Sequence, residues 1–253
     1  LIHVVPRDLT LDSRHVDSGD VFIALPGHYA DGLHFIPSAL AGGAAAVVAE
    51  AEGLEVGDPR VIAVPALRAK LPRLIKRYYR DPSAHMKVMA VTGTNGKTSI
   101  AEFTAQLLRA MGVTVGVVGT LGVRTASEPS EARNTTPDLV SLTRQLARWR
   151  ESGLQHVAME ASSHALDQGR LDGLSIDVAV FSNLTRDHLD YHGSEHAYAA
   201  AKLRLFSALN PRYAIYNADD PIAQRVRQIV PERAVGISML DPSAELFVDV
   251  LTV

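Results

Sequence analysis

Lys97 and Thr98, which directly follow Gly93-Thr94-Asn95-Gly96, are residue types suited to holding nucleotide phosphates. Glycines let a backbone curl until several N–H groups face one anion. A helix N-terminus adds partial positive charge, a lysine adds a full charge, and a threonine hydroxyl can ligate Mg²⁺. An apolar run at 88–91 precedes the turn, and Ser99 opens an amphipathic pattern after it. That setting favours phosphate binding by Gly93 to Ser99 over an incidental lysine in a tight turn. The pattern G-x-x-x-x-G-K-[ST] would place its first glycine at position 91, where this chain has Val91.

Further polar groups follow at the ends of other apolar runs. Asn134, Thr135 and Thr136 stand before a helical pattern, where Thr136 alone would serve as an N-cap. Binding and capping are equally good explanations of the trio. Glu160 ends an apolar run and is followed by Ser162, Ser163 and His164. In open α/β sheets ligands sit beyond the carboxyl ends of the strands, so Mg²⁺ ligation is favoured there over a solvated carboxylate. His188 and His192 lie among Arg186, Asp187 and Asp190 after another apolar run, a setting for metal or phosphate. Lys202 is by ordinary expectation an exposed helix lysine. Only its helical spacing to Tyr198, Leu205 and Phe206 argues that it points inward. Asn217 to Pro221 fits a nucleotide contact or an Asx turn with a helix cap nearly equally well.

These groups need a scaffold, and the sequence supplies an alternating one. Strands are expected at 21–25, 45–49, 61–64, 88–91, 113–118, 156–160, 178–181 and 213–216, with helical patterns between them. The expectation is an α/β fold with a mostly parallel sheet. In the helix at 99–111, Ile100, Phe103, Leu107 and Leu108 recur at helical spacing and Gly112 stands at its end. Pro137 after Thr136 opens a second helix to about residue 149. A basic helix at 67–80 ends at Asp81-Pro82-Ser83, which sets the expected domain boundary: residues 1–84, then 85–253.

Composition narrows the function classes. With 47% hydrophobic and 21% charged residues, the 253-residue chain can bury ample core. A formal net charge of -3 gives no polyelectrolyte signature, so nucleic acid is not expected as a partner. The absence of cysteine excludes disulfides and thiolate-bound metal. No signal peptide and no apolar run of membrane-spanning length is visible. A cytoplasmic, monomeric enzyme without membrane insertion is expected. The missing initiator methionine and the strand-like tail at 244–253 suggest a piece of a longer protein.

Taken together, Thr92-Gly-Thr-Asn-Gly-Lys-Thr98, the Asn-Thr-Thr-Pro run at 134–137, Glu-Ala-Ser-Ser-His-Ala-Leu at 160–166 and Asn-Leu-Thr-Arg-Asp-His-Leu-Asp-Tyr-His-Gly at 183–193 resemble the Mur ligases. These are ATP-dependent amino-acid ligases of peptidoglycan precursor synthesis, and the combination looks like the type that adds the third stem-peptide residue. Asp12-Ser13-Arg14, Gly19 to Ala24 and Gly27 to Gly32 resemble that type's UDP-sugar-binding domain. The resemblance implies an N-terminal UDP-muramoyl domain (1–84) and an incomplete central P-loop ATPase domain (85–253). An amino-acid-binding domain is expected beyond residue 253, so these residues alone are not expected to complete the reaction.

The resemblance also implies residue roles. Gly93, Thr94, Asn95, Gly96, Lys97, Thr98 and Ser99 would cradle ATP. Thr98 and Glu160 would hold one Mg²⁺, with His188 near a second. Lys202 matches the family's lysine carbamylated by CO₂, a carboxylate-like metal ligand. Leu11, Ser13, His28, Tyr29 and Ala30 would contact the uridine diphosphate end of UDP-MurNAc-L-Ala-D-Glu. Asn134, Thr135, Thr136, Ser162, Gln168 and Arg170 would bind its muramoyl-dipeptide part. Lys97, Lys202 and His188 would be catalytic. The amine partner is a diamino acid, with meso-diaminopimelate favoured as the commoner choice and L-lysine the alternative. Another Mur-type or folylpolyglutamate-type ligase, or a P-loop module without ligase chemistry, are the competing expectations.

Overall fold

Buried β-branched strands and short connections build two compact units, residues Leu1–Tyr78 and Tyr79–Val253. The computed structural model describes residues 5–27, 31–54, 57–125 and 134–249. His28, Tyr29 and Ala30 lie outside the described residues.

The first unit runs β1 (Leu9–Thr10), β2 (Val21–Ala24), α1 (Ile36–Ala41), β3 (Ala46–Glu50), β4 (Val61–Val64) and α2 (Leu67–Tyr78). Its four strands are parallel, in the order β1-β2-β3-β4. Alternation along β2 and β3 sends Phe22, Ala24, Val47 and Ala49 to one face, where Ile36 and Ala39 of α1 cover them. On this sheet a cavity of about 480 Å³ is lined by Leu9, Val21, Ile23, Ala46, Val48 and Ile62 together with Leu74, Arg77 and Tyr78 of α2. Neither Leu11 nor Ser13 lines it.

The second unit continues with β5 (Lys87–Thr92), α3 (Lys97–Ala110), β6 (Val115–Gly119), β7 (Gly122–Arg124), α4 (Leu139–Glu151), β8 (His156–Glu160), α5 (Ser163–Asp167) and β9 (Val178–Phe181). It is completed by α6 (Leu189–His192), α7 (Glu195–Ser207), β10 (Tyr213–Asn217), α8 (Arg225–Ile229), β11 (Ala234–Ser238) and β12 (Leu246–Phe247). The eight strands are ordered β12-β11-β10-β9-β5-β8-β6-β7, and only β7 is antiparallel to its neighbour. β5 lies between β8 and β9, so the chain passes from one side of β5 to the other after β8. That reversal is the topological switch at which α/β sheets bind ligands. Strands covered on both faces read as continuous apolar runs, and β6 is buried along all five residues.

Several expectations need correction. In α3 the buried residues are Ala101 and Ala105, with Ile100 and Leu108 packed beside them. Phe103 and Leu107 are 62% and 67% exposed. Ala101 and Ala105 face the sheet and let the helix lie close, with Ile100 and Leu108 at their flanks, so Phe103 and Leu107 point away. Gly112 has φ +77° and follows the C-cap residue Met111, the left-handed position that glycine takes most easily. Short β1, β7 and β11 were not expected, because two- and three-residue strands and the glycine-containing run at 234–238 carry little periodicity. Of the strand expected at 244–253, only Leu246–Phe247 pairs among the described residues. No helix among the described residues is long and apolar enough to cross a membrane.

Candidate functional site

The turn between β5 and α3 is built by two glycines and held by a second loop. Gly93 has φ +142°, and a Cβ there would lie 2.0 Å from Ser182 Oγ. Gly96 caps α3 in the left-handed region at φ +84°. The loop after β9 clamps this turn: Thr94 N donates to Asn183 O at 2.8 Å and Asn95 N to Asn183 Oδ1 at 3.0 Å. Asn183 Nδ2 and Ser182 Oγ both donate to Asn95 O. Val91 is fully buried inside β5, paired with Glu160 and Val180. The backbone turns only at Gly93, which is why position 91 needs no glycine. Lys97 Nζ donates to the carbonyls of Gly93 and Thr94 at 2.9 and 2.8 Å. Burial lowers its pKa, with Glu160 and Asp187 opposing the shift.

Glu160 is buried at the end of β8, not solvated. Its Oε1 accepts from Thr98 Oγ1 at 2.9 Å and from Thr120 N at 2.8 Å; its Oε2 accepts from Thr120 Oγ1 at 3.3 Å. A Cβ on Gly119 would come within 2.2 Å of Glu160 Oε1, so this carboxylate position depends on a glycine at the end of β6. Gly119→Ala is expected to displace Glu160 from Thr98 and Thr120 and to destabilise the fold by about 1–3 kcal/mol, the cost of buried polar groups losing their partners. Urea unfolding checks this, and a midpoint equal to wild type would contradict it. Gly119 and Thr120 were missed by sequence reasoning. Their only signal is a Gly-Thr pair closing a buried strand.

Beside Glu160 the Asn-Thr-Thr-Pro run is assembled for something other than capping. Asp138 is the N-cap of α4, accepting from Val140 N and Ser141 N, which corrects the expected Thr136 cap. Thr136 is buried and its hydroxyl instead donates to Glu160 O at 2.8 Å. Thr135 Oγ1 meets Thr120 Oγ1 at 3.2 Å, and Asn134 is exposed next to it. Arg170 Nη1 donates to Thr136 O at 2.8 Å, while its Nε and Nη2 fork onto Gln168 Oε1. Ser162 Oγ caps α5 and its N–H donates to Thr136 Oγ1. Thr136, Ser162, Gln168 and Arg170 therefore form one polar patch continuous with Glu160. Leu11 and Ser13 follow β1 in the first unit, where Asp12 caps the turn Ser13–His15. In the same unit Gly32 closes the chain onto β2: its N–H donates to Leu25 O at 2.9 Å, and a Cβ would lie 2.6 Å from that oxygen.

The third face comes from α5, α6 and α7. His188 sits in the left-handed region at φ +50°, with its ring edge-on to His164 at 4.9 Å and to Tyr198 at 6.0 Å. His192 Nε2 meets Ser163 Oγ at 3.0 Å. Burial lowers the pKa of His164 and His192. Lys202 is 1% exposed, which overturns the ordinary expectation and agrees with its spacing. Its Nζ donates to Gly93 O at 2.7 Å and lies 4.4 Å from the Tyr198 ring centroid. Burial, and then the charge of Lys97, lower its pKa to about 7. Among the described residues no group of three or more His, Asp or Glu side chains is placed to hold a metal. Of the residues expected to hold metal, Thr98 and Glu160 touch through Thr98 Oγ1 and Glu160 Oε1. Asp219 N donates to Asn217 Oδ1, and Asp220 accepts from Ile222 N, Ala223 N and Leu184 N; the loop after β10 is thus a pair of Asx turns that also anchors the clamping loop, and it does not cap α8, whose N-cap is Gln224.

The family model described as "Mur ligase middle domain" matches residues 91–248, and "Mur ligase family, catalytic domain" matches residues 7–79. The chain belongs to the Mur ligase family. Among curated Mur ligases, the UDP-N-acetylmuramoyl-L-alanyl-D-glutamate--2,6-diaminopimelate ligase of Pseudomonas syringae pv. tomato is 46% identical over 245 residues, 95% of this chain and 50% of the relative. Its counterpart from Xylella fastidiosa is 46% identical over 241 residues, 93% and 48% of the two chains. A solved structure of an enzyme of that name superposes with a TM-score of 0.81 at 35% identity, covering 94% of this chain and 50% of the other. An ADP complex of MurF ligase from Thermotoga maritima has a TM-score of 0.58 at 22% identity, over 95% and 52% of the two chains, and shares the fold. The chain spans about half the length of the curated relatives it matches.

Proposed function

We propose that this chain is the substrate- and ATP-binding part of a cytoplasmic ligase that joins a diamino acid to UDP-MurNAc-L-Ala-D-Glu in peptidoglycan precursor synthesis. Meso-diaminopimelate is the favoured amine, as in the names of the relatives, and L-lysine is the alternative. The observation that carries the proposal is the meeting of Lys97, Thr98 and Glu160 with the Thr136–Ser162–Gln168–Arg170 patch at the ends of β5 and β8. A phosphate cradle alone would serve any nucleotide module. A cradle joined to a polar patch fits transfer of phosphate to a second substrate.

The N–H groups at the start of α3, with Lys97, bind the triphosphate of ATP and offset charge on the transferring phosphoryl group. A D-glutamyl carboxylate oxygen, held near Arg170 and Thr136, attacks the γ-phosphorus, and ADP leaves. The amine of the diamino acid then attacks the acyl phosphate carbon, and the tetrahedral intermediate collapses with loss of phosphate. Asn134, Thr135, Thr136, Ser162, Gln168 and Arg170 take the muramoyl-dipeptide part; Leu11, Ser13, His28, Tyr29 and Ala30 take the uridine diphosphate end. The buried carboxylate of Glu160 against Thr98 suits a hard cation, and Mg²⁺ held there, with a second ion near His188 and carbamylated Lys202, would supply charge neutralisation at the phosphates. A lysine amine held near pKa 7 is partly neutral at neutral pH, as carbamylation requires. Its nitrogen bonds the carbon of CO₂ and releases one proton.

The test is a radiolabelled ligation assay on the natural full-length polypeptide containing this chain, with ATP, UDP-MurNAc-L-Ala-D-Glu and each diamino acid in turn. Product with diaminopimelate is expected. No product with either amine would overturn the ligase proposal in favour of a nucleotide-binding module.

A further inference from the structure

Tyr198 is 1% exposed in α7 and the largest fully buried side chain among the described residues. A buried tyrosine needs a partner for its hydroxyl, and this one reaches out of the helix to the phosphate-binding turn, where it meets Thr94 Oγ1 at 3.2 Å. Proton counting sets the direction. Thr94 Oγ1 has one proton and two lone pairs. It accepts from Thr185 N at 2.9 Å, and its proton goes to Thr185 O at 3.1 Å, because a carbonyl can only accept. One lone pair remains for Tyr198, so the phenol is the donor.

The same ring carries Lys202, one helical turn further on, with Nζ 4.4 Å from the centroid. That amine donates in turn to Gly93 O, next to Thr94. Thr94, Tyr198, Lys202 and Gly93 therefore close a ring of contacts between α7 and the turn. On its other sides the Tyr198 ring packs against His188 and His192.

We infer that Tyr198 is a positioning residue of this site: its hydroxyl sets the phosphate-binding turn through Thr94, and its ring face seats the Lys202 amine. A side chain needed only for packing would serve equally well as phenylalanine. The kinetic consequence rests on the ligase proposal, whereas nucleotide affinity and amine reactivity do not.

The test compares Tyr198→Phe and Tyr198→Leu in the natural full-length polypeptide. Tyr198→Phe keeps the ring and is expected to weaken Mg-ATP binding about three- to tenfold by calorimetry, the effect of one neutral hydrogen bond. KM for ATP should rise by the same factor, with kcat falling less. Acylation of Lys202 by a small reagent in CO₂-free buffer, read by mass spectrometry, should stay slow. Tyr198→Leu removes the ring as well, and Lys202 acylation should accelerate at least tenfold. ATP affinity within 1.5-fold of wild type in Tyr198→Phe would overturn the inference, as would identical effects of both variants in every readout. The phenylalanine variant decides alone if the leucine variant does not fold. Wild-type protein that binds ATP but ligates nothing would sink the ligase proposal while leaving the affinity comparison valid.

Discussion

Lys202→Ala is expected to abolish ligation by the full-length polypeptide, with partial recovery on adding formate or acetate. Lys202 is a buried lysine whose amine shares the Gly93 carbonyl with Lys97, so two cationic groups converge on one acceptor. Burial and that neighbour disfavour the ammonium form. Adding CO₂ turns the amine into an anion, which suits a site where Lys97 supplies positive charge. Removing one preorganised electrostatic group costs roughly 10²–10³-fold in turnover, and more where the group also holds a metal. A small carboxylate entering the space left by the side chain replaces the charge but not the tether, so recovery is partial. Wild-type turnover in this variant without added carboxylate would end the carbamate assignment.

Folding stability offers a separate check in CO₂-free buffer. Burial holds the Lys202 amine at a pKa of about 7 in the folded protein, against 10.5 for a solvated lysine, so between these limits the unfolded chain binds the extra proton. The contribution of Lys202 is complete above 10.5 and is lost as pH falls towards 7. Urea unfolding of wild type should therefore gain stability between pH 7.5 and 9.5 relative to Lys202→Met. Parallel pH profiles would show that Lys202 does not titrate in this window.

Lys97→Ala is expected to raise the Kd for Mg-ATP by roughly 10²-fold or more. Lys97 stands at the first position of α3, and its Nζ lies over the turn carbonyls. A charge-assisted hydrogen bond is worth about 1.5–3 kcal/mol, and a lysine among phosphates makes more than one. Isothermal titration measures the loss directly. The fold should survive, because the turn is held by Asn183, Ser182 and Thr185 independently of Lys97. An affinity within threefold of wild type would count decisively against phosphate binding by this turn.

Much of this site was legible along the chain. The strand–turn–helix at Gly93–Thr98 is local: two left-handed glycines, a lysine and a threonine at fixed offsets determine what the turn can hold. Glu160 was legible for a related reason, since a carboxylate ending an apolar strand has few places to go in a parallel sheet. Lys202 was legible only through its neighbours Tyr198, Leu205 and Phe206, and without the resemblance it would have passed for a surface lysine. The buried face of α3 was misjudged because hydrophobic spacing favours large residues, whereas the sheet accepted Ala101 and Ala105 and left Phe103 and Leu107 outside.

By itself the sequence determined the alternation of strands and helices, the phosphate-binding turn and the identity of the polar clusters, because each depends on residues within a few positions of one another. The tertiary structure alone decided how those clusters meet. Placing β5 between β8 and β9 brings Thr98 to Glu160 across 62 positions and Lys202 to Gly93 across 109. It moved the cap of α4 from Thr136 to Asp138, leaving Thr136 to hold the backbone of Glu160. It also exposed the need for Gly119, whose missing side chain makes room for a carboxylate. Such requirements arise from close approach of chain segments distant in sequence, and a pattern read along one strand or helix carries no trace of them.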